Sequence, residues 1–188
     1  RGTVMLRRRW GMVGAFGLAA GLLVPGTARA QGVDAQEESR RLREASALEW
    51  RGQVPEAEAA LVRLLQDHPT SSGGLFALER ILRNQARIRE VLPWADRFLA
   101  EDPAASGVRY MKLRVLVEVD SLQALAPEAR AWFGAEPGSP DPYREVARLY
   151  ERALGDGAAL DLLRTGRRAL GDPRALALEM GDLLARTG

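Results

Sequence analysis

The stretch PEAEAALVRLLQDHP, residues 55–69, decides the fold. Its apolar residues Ala57, Leu61 and Leu64 recur at three- and four-residue spacing, which is typical of one face of an amphipathic helix. Pro55 suits the first helical turn, where the missing N–H would have no partner anyway, and Pro69 ends the pattern. The stretch therefore predicts one short helix with a sharp end.

The ending of this helix recurs three times downstream. The four endings are Asp67-His68-Pro69, Glu101-Asp102-Pro103, Ala135-Glu136-Pro137 and Gly171-Asp172-Pro173, so successive prolines lie 34, 34 and 36 residues apart. A fixed period in the mid-thirties indicates a stacked array of helical hairpins. We therefore predict an all-α array over residues 38–188, with units 38–71, 72–105, 106–140 and 141–173 and an incomplete unit 174–188.

Two prolines interrupt this regularity. Pro93 and Pro127 occupy equivalent places in units two and three. Because a proline deep in a helix costs on the order of 3 kcal/mol, we expect the second helices of these units to start late, close to the prolines.

The residues resemble the tetratricopeptide repeat family, a 34-residue helix–turn–helix with W-x₂-L-G-x₂-Y, A-x₃-F and P positions. Ala57-x₃-Leu61 with Pro69 is similar to the second half of that motif, and Ala177-x₂-Met180-Gly181-x₂-Leu184 to the first half. Unit two departs from it at Glu79, and unit three at Arg109 and Lys112. The resemblance implies a right-handed α-solenoid of stacked antiparallel hairpins, about four repeats plus an unpaired terminal helix, with the first helices lining a concave groove.

The N-terminus has the three parts of a secretory signal. Arg7-Arg8-Arg9 precede the apolar stretch 11–24, and Ala28-Arg29-Ala30 supply a small-x-small cleavage site before Gln31. We expect residues 1–30 to be removed, residues 31–37 to form a polar leader, and the protein to be exported, to a periplasm. The alternative is an uncleaved membrane anchor, but these fourteen glycine-rich residues are short for a span of about 20, so we expect cleavage and no membrane span after it. Residues 1–4 precede Met5 and can lie upstream of the true start.

Composition bounds the function further. The formal charge is +2, but residues 1–30 hold five of the 27 basic residues and no acid, which leaves 22 basic against 25 acidic. The excess of basic residues therefore lies in the predicted targeting segment, residues 1–30, and we expect no nucleic-acid partner. The chain has no cysteine, so disulfides and thiolate chemistry are excluded. A single lysine among many arginines suggests a GC-rich bacterial genome.

The family resemblance implies that the groove is lined by first-helix residues of units two and three. Arginines beside aromatic residues there could hold carboxylates of a partner, because the planar guanidinium binds them in a bidentate manner. The alternative is that these are solvated faces of ordinary helices. The candidate groove residues are Phe76, Arg80, Arg83, Asn84, Tyr110, Arg114 and Glu118.

No residue pattern predicts catalysis, a cofactor or a metal site. The only histidine, His68, is interpreted as a turn residue, and Trp50, Trp94 and Trp132 as packing residues at helical spacing. The acidic pairs Glu37/Glu38 and Glu56/Glu58 are placed at helix starts, where they favour the helix dipole.

Three functions stay open at this point. The first is a non-enzymatic scaffold that binds a protein or peptide segment in the cell envelope. The second is the N-terminal part of a larger envelope assembly, such as a polysaccharide or outer-membrane export component, which is an analogy at fold level. The third, a hydrolase, would need a site that the sequence does not display.

Overall fold

A computed structural model describes residues 25–187, and every regular element of that part is helical. The helices are α1 Pro25–Trp50, α2 Val54–Asp67, α3 Ser72–Asn84, a 3₁₀ turn Ile88–Val91, α4 Leu92–Glu101, α5 Ser106–Glu118, α6 Leu122–Ala135, α7 Asp141–Leu154, α8 Asp156–Leu170 and α9 Ala177–Thr187. Helices α3, α5 and α7 begin at the residues with which the predicted units two, three and four begin.

Helices α1, α5 and α7 each form a hairpin with the helix that follows, α3 packs against the 3₁₀ turn that leads into α4, and the hairpins stack. Helix α2 also contacts α3, α4 contacts α5, α6 contacts α7, and α8 contacts α9. The buried residues form three successive clusters, centred on Leu78 between α1 and α5, on Trp132 between α5 and α7, and on Leu163 between α7 and α9. The predicted all-α solenoid of stacked hairpins is confirmed.

The first helices keep the same phase from one repeat to the next. The inward-facing positions Leu78 and Leu82 of α3 correspond to Lys112 and Leu116 of α5. One repeat further on, Val146 is buried and Tyr150 is partly buried in α7. The longer spacing before the last proline therefore leaves the phase of the first helices unchanged.

The turns inside the hairpins share one backbone feature. Gly52, Ala86 and Asp120, which occupy the same place in successive repeats, have φ of 75°, 57° and 55°, and Gly155 has φ of 89°. A left-handed residue reverses the chain after a helix and favours glycine, because other residues lose energy from Cβ crowding there. Ala86 and Asp120 therefore accept a strained conformation to keep the hairpin geometry.

The two helix-breaking prolines behave differently. Pro93 lies in the first turn of α4, after a 3₁₀ turn, so the predicted late start of that helix is confirmed. For α6 the prediction is wrong, because the helix begins at Leu122 and holds Pro127 inside it. Pro127 removes the N–H that would bind the Gln123 carbonyl, and both residues are exposed, so water can hydrate that carbonyl.

The helical region begins earlier than the pattern predicts. Helix α1 extends from Pro25 through the stretch 31–37 expected to be a polar leader. Glu37 and Glu38 therefore lie inside α1 rather than at a helix start, whereas Glu56 does lie in the first turn of α2. Residues 28–37 include three alanines and no proline, so nothing in that stretch stops a helix that Pro25 begins. Residues 1–24, which hold most of the predicted signal, lie outside the described part, and cleavage after Ala30 stays a prediction.

Candidate functional site

The odd-numbered helices present a common surface. Ion pairs join α1 to α3, α3 to α5 and α7 to α9. Arg80 of α3 pairs with Glu49 of α1, Arg83 of α3 with Glu118 of α5, Arg144 of α7 with Glu179 of α9, and Glu151 of α7 with Arg186 of α9. Such pairs require the side chains to point to the same side of the stack. We call this surface the first-helix face.

Helices α2 and α4 are joined by a contact of their own. Nη2 of Arg97 on α4 donates a hydrogen bond to the Gln66 carbonyl of α2, 3.1 Å away. Arg97 is exposed and takes no part in the ion pairs that define the first-helix face, so it serves as a reference position.

Two of the predicted groove residues, Arg83 and Arg114, meet at a carboxylate that the sequence did not single out as a site. Glu79, only 7% exposed, accepts hydrogen bonds from Nη2 of Arg83 at 2.5 Å and from Nη2 of Arg114 at 2.7 Å. Arg83 also pairs with Glu118. Two guanidinium groups and two carboxylates thus form one network across α3 and α5, and the buried charge of Glu79 is compensated.

Arg80 is paired as well. Its Nη2 lies 2.7 Å from Oε2 of Glu49, a residue that sequence reasoning also missed. A usable signal was present in the repeat period, since Glu79 and Arg114 are 35 residues apart, as are Arg83 and Glu118, while Glu49 and Arg80 are 31 apart. Opposite charges separated by about one repeat indicate pairing between neighbouring first helices.

These ion pairs reduce the capacity of the candidate groove arginines to attract carboxylates of a partner. All three candidate groove arginines already bind carboxylates of this chain. Because Glu49, Glu79 and Glu118 already neutralise these arginines, a carboxylate of a partner gains little net electrostatic energy at this face.

Phe76 lies over a glycine of the next unit. Phe76 is 39% exposed, and a Cβ added at Gly107 would meet its Cζ at 3.7 Å. One unit earlier, a Cβ at Gly73 would meet Cδ1 of Leu42 at 2.9 Å, so the same arrangement recurs in consecutive repeats. Tyr110, the equivalent of Phe76 in unit three, is partly buried, and Asn84 is exposed at the end of α3.

Trp50 departs from its predicted role. Its side chain is 91% exposed at the end of α1, so the packing interpretation is wrong for this residue, whereas Trp132 is buried and Trp94 partly buried as predicted. The repeat period makes Trp50 the equivalent of Asn84 and places it beside Glu49 on the first-helix face. Periodicity missed it because the residue lies at the helix end, beyond the last buried turn.

Lys112 explains how unit three tolerates a charge at an apolar place. Its Nζ lies 2.6 Å from Oδ1 of Asp96 on α4 and 2.5 Å from Oε1 of Glu128 on α6, with 11% of the side chain exposed. The neighbouring departure, Arg109, donates from Nε to the Pro103 carbonyl at 2.7 Å. Both cations are paired inside the stack, which makes them structural.

Charged groups on α1 form a separate cluster on its outer side. Hydrogen bonds from Arg40 and Arg41 lower the pKa of the Glu37 carboxyl to about 2. Arg41 also donates to Asp67 at 2.5 Å, and that bond lowers the pKa of Asp67. The cluster ties α1 to α2 and is solvated, as the basic run 40–43 with its acidic neighbours suggests.

The described residues offer no assembled catalytic or metal centre. His68 ends α2 as a turn residue, with its N–H donating to the Leu64 carbonyl at 2.7 Å. Between residues 25 and 187 no group of three or more potential ligands could hold a metal ion. Nor does any helix in that range combine the length and apolar character needed to cross a membrane.

The fold has counterparts among solved structures. A Pseudomonas aeruginosa PilF structure superposes with a TM-score of 0.52 at 16% identity, covering 82% of this chain and 70% of that one. A structure of the MamA protein gives 0.51 at 14% identity, covering 81% and 86%, and MamA from Desulfovibrio magneticus RS-1 gives 0.50 at 16%, covering 80% and 85%. No protein-family model and no curated protein matches the sequence. The similarity to these structures, together with the period and the hairpins, shows that the chain has a tetratricopeptide-like repeat fold.

Proposed function

We propose that this protein is a non-enzymatic scaffold of the cell envelope that binds a segment of another protein on its first-helix face. The observation that carries the proposal is the exposure of Trp50 and Phe76 on that face. Large aromatic side chains are enriched among the residues that dominate protein–protein binding energy, because they bury much apolar area at a small entropic cost.

Ion pairs between neighbouring first helices support the same proposal. Helix α3 is joined to α5 through the ion pairs of Glu79, Arg83, Arg114 and Glu118, and α1 is joined to α3 through the Glu49–Arg80 pair. A surface held in one geometry before binding loses less conformational entropy when a partner docks.

The envelope location rests on the sequence of residues 1–30, with its basic, apolar and small-residue parts in the order of a secretory signal. After export the chain would begin at Gln31 and retain most of α1.

Fractionation of the native bacterium tests the location, and capture tests the surface. The expected result is a chain in the envelope fraction whose mass corresponds to cleavage after Ala30. Immobilised protein should retain one defined envelope protein. Phe76→Asp should reduce that retention, while Arg97→Asp, on α4 and outside the first-helix face, should not. An uncleaved cytoplasmic chain would contradict the location, and equal retention by both variants would contradict the surface.

A further inference from the structure

We infer that the end of the first-helix face formed by Glu49, Trp50, Phe76 and Arg80 binds an uncharged, apolar segment of a partner protein rather than an acidic one. We call these four residues the Trp50–Phe76 surface. The inference rests on the proposed function and names the chemistry of its partner.

The four residues are contiguous. Phe76 and Arg80 lie one turn apart on α3, so their side chains are neighbours on one face of that helix. Arg80 reaches α1 through its 2.7 Å contact with Glu49, which precedes Trp50 in the chain. Glu49, Trp50 and Arg80 also line a shallow cavity of about 270 Å³. The surface thus has an aromatic side chain at each end and a paired charge between them.

The aromatic side chains at both ends keep apolar area in water. Trp50 is 91% exposed, and Phe76, although it lies over Gly107, is still 39% exposed. Apolar area removed from water contributes roughly 25 cal/mol per Å², and an aromatic side chain can bury about 150–250 Å². A partner that covers both rings would therefore gain most of its affinity from apolar contact.

The charges disfavour an acidic partner. Glu49 neutralises Arg80, and Glu79 and Glu118 neutralise Arg83 and Arg114, so these six groups of the face carry no net charge. An incoming carboxylate would meet the repulsion of the carboxylate that already lies beside each guanidinium group. A neutral segment meets no such repulsion and leaves every existing pair intact.

Selection of binding peptides tests this chemistry. Random decapeptides displayed against the full chain should yield sequences rich in apolar residues and poor in Asp and Glu. The affinity of a synthetic representative should change less than about twofold between low and high salt, near 0.05 and 0.5 M, because screening weakens ionic contacts and not apolar ones.

Variants locate the contact. Trp50→Ala and Phe76→Ala should each weaken the representative peptide about tenfold, as truncated anchor residues do. Leu178→Ala removes an apolar side chain, 74% exposed, at the far end of the array and should have less than about a twofold effect.

The outcomes separate the two proposals. Acidic peptides whose binding weakens as salt rises would overturn this inference and leave the scaffold function standing. Peptides lost with Leu178→Ala but not with Trp50→Ala would overturn the location alone. A selection that enriches no peptide would contradict both proposals.

Discussion

Arg114 of α5 donates a hydrogen bond to Glu79 of α3 over 2.7 Å, and Arg83 donates to the same carboxylate oxygen from within α3. One nearly buried carboxylate therefore holds two guanidinium groups from consecutive repeats. This shared acceptor ties the geometry of the first-helix face to the stability of the stack.

Because Arg83 and Arg114 share Glu79, we predict that the effects of replacing them on the free energy of unfolding are not additive. Arg83→Met and Arg114→Met alone should each cost less than about 1 kcal/mol in the free energy of unfolding, because the other arginine still compensates Glu79. Together they leave a buried carboxylate unpaired and should cost about 3 kcal/mol. Urea denaturation of the four proteins of this cycle measures the difference. Simple addition of the two single effects would contradict the shared role.

The buried lysine predicts a rescue. Asp96→Asn with Glu128→Gln leaves the Lys112 ammonium inside the stack without a carboxylate and should cost about 3 kcal/mol. Adding Lys112→Met, which restores the apolar character found at Leu78 one unit earlier, should recover most of that loss. Thermal or urea unfolding of the double and triple variants checks this. A triple variant no more stable than the double would show that the charge of Lys112 is not the cause.

Substitutions in two hairpin turns should change the free energy of unfolding in opposite directions. Ala86→Gly should raise the free energy of unfolding by roughly 0.5–1 kcal/mol, because glycine adopts the φ of 57° without Cβ crowding. Gly52→Ala, at the equivalent turn with φ of 75° and nothing within 4 Å of the added Cβ, should lower it by about 1 kcal/mol. Since both sites are turns of the same array, effects of the same sign would contradict the conformational explanation.

The charged cluster on α1 predicts that the stability of the folded state depends on pH. The pKa of Glu37 is about 2 in the folded chain against 4.5 for a free glutamate, because Arg40 and Arg41 donate to it. A lowered pKa stabilises the folded state above pH 4.5, and the contribution is lost as the pH falls toward 2. Carboxyl NMR should place the Glu37 midpoint near 2 in the native chain and higher in Arg40→Gln. A native midpoint near 4.5 would show that the ion pairs do not form in solution.

The fold could be predicted from the sequence because every repeat must bury its apolar helix faces against its neighbours, so the same pattern recurs in each unit. The proline spacing and the apolar stripes predicted the hairpins, and Ser71 caps α3 by accepting a hydrogen bond from Gly74 at 3.2 Å, as a serine before a helix suggests. Pro127 was not predictable in the same way. Whether a helix tolerates a proline depends on the exposure of the carbonyl it leaves unpaired, and exposure is a property of the packed stack.

The candidate surface was only partly readable. The family resemblance implied a groove lined by residues of α3 and α5, but it did not imply that the arginines among them are neutralised. Pairing depends on side-chain reach between helices, and Glu49 and Glu79 had been assigned no binding role. Trp50 was missed for a related reason, because apolar character alone does not distinguish a packed tryptophan from an exposed one.

Site-specific photo-crosslinking in intact cells tests the central claim, that the first-helix face binds a protein partner, most directly. A photoreactive residue would replace Phe76 on α3 in one strain and Arg97 on α4 in a matched strain, both at exposed positions, and Arg97 takes no part in the ion pairs of the first-helix face. The account predicts a discrete crosslinked envelope protein from position 76 and none from position 97. Crosslinking from position 97 alone would contradict it.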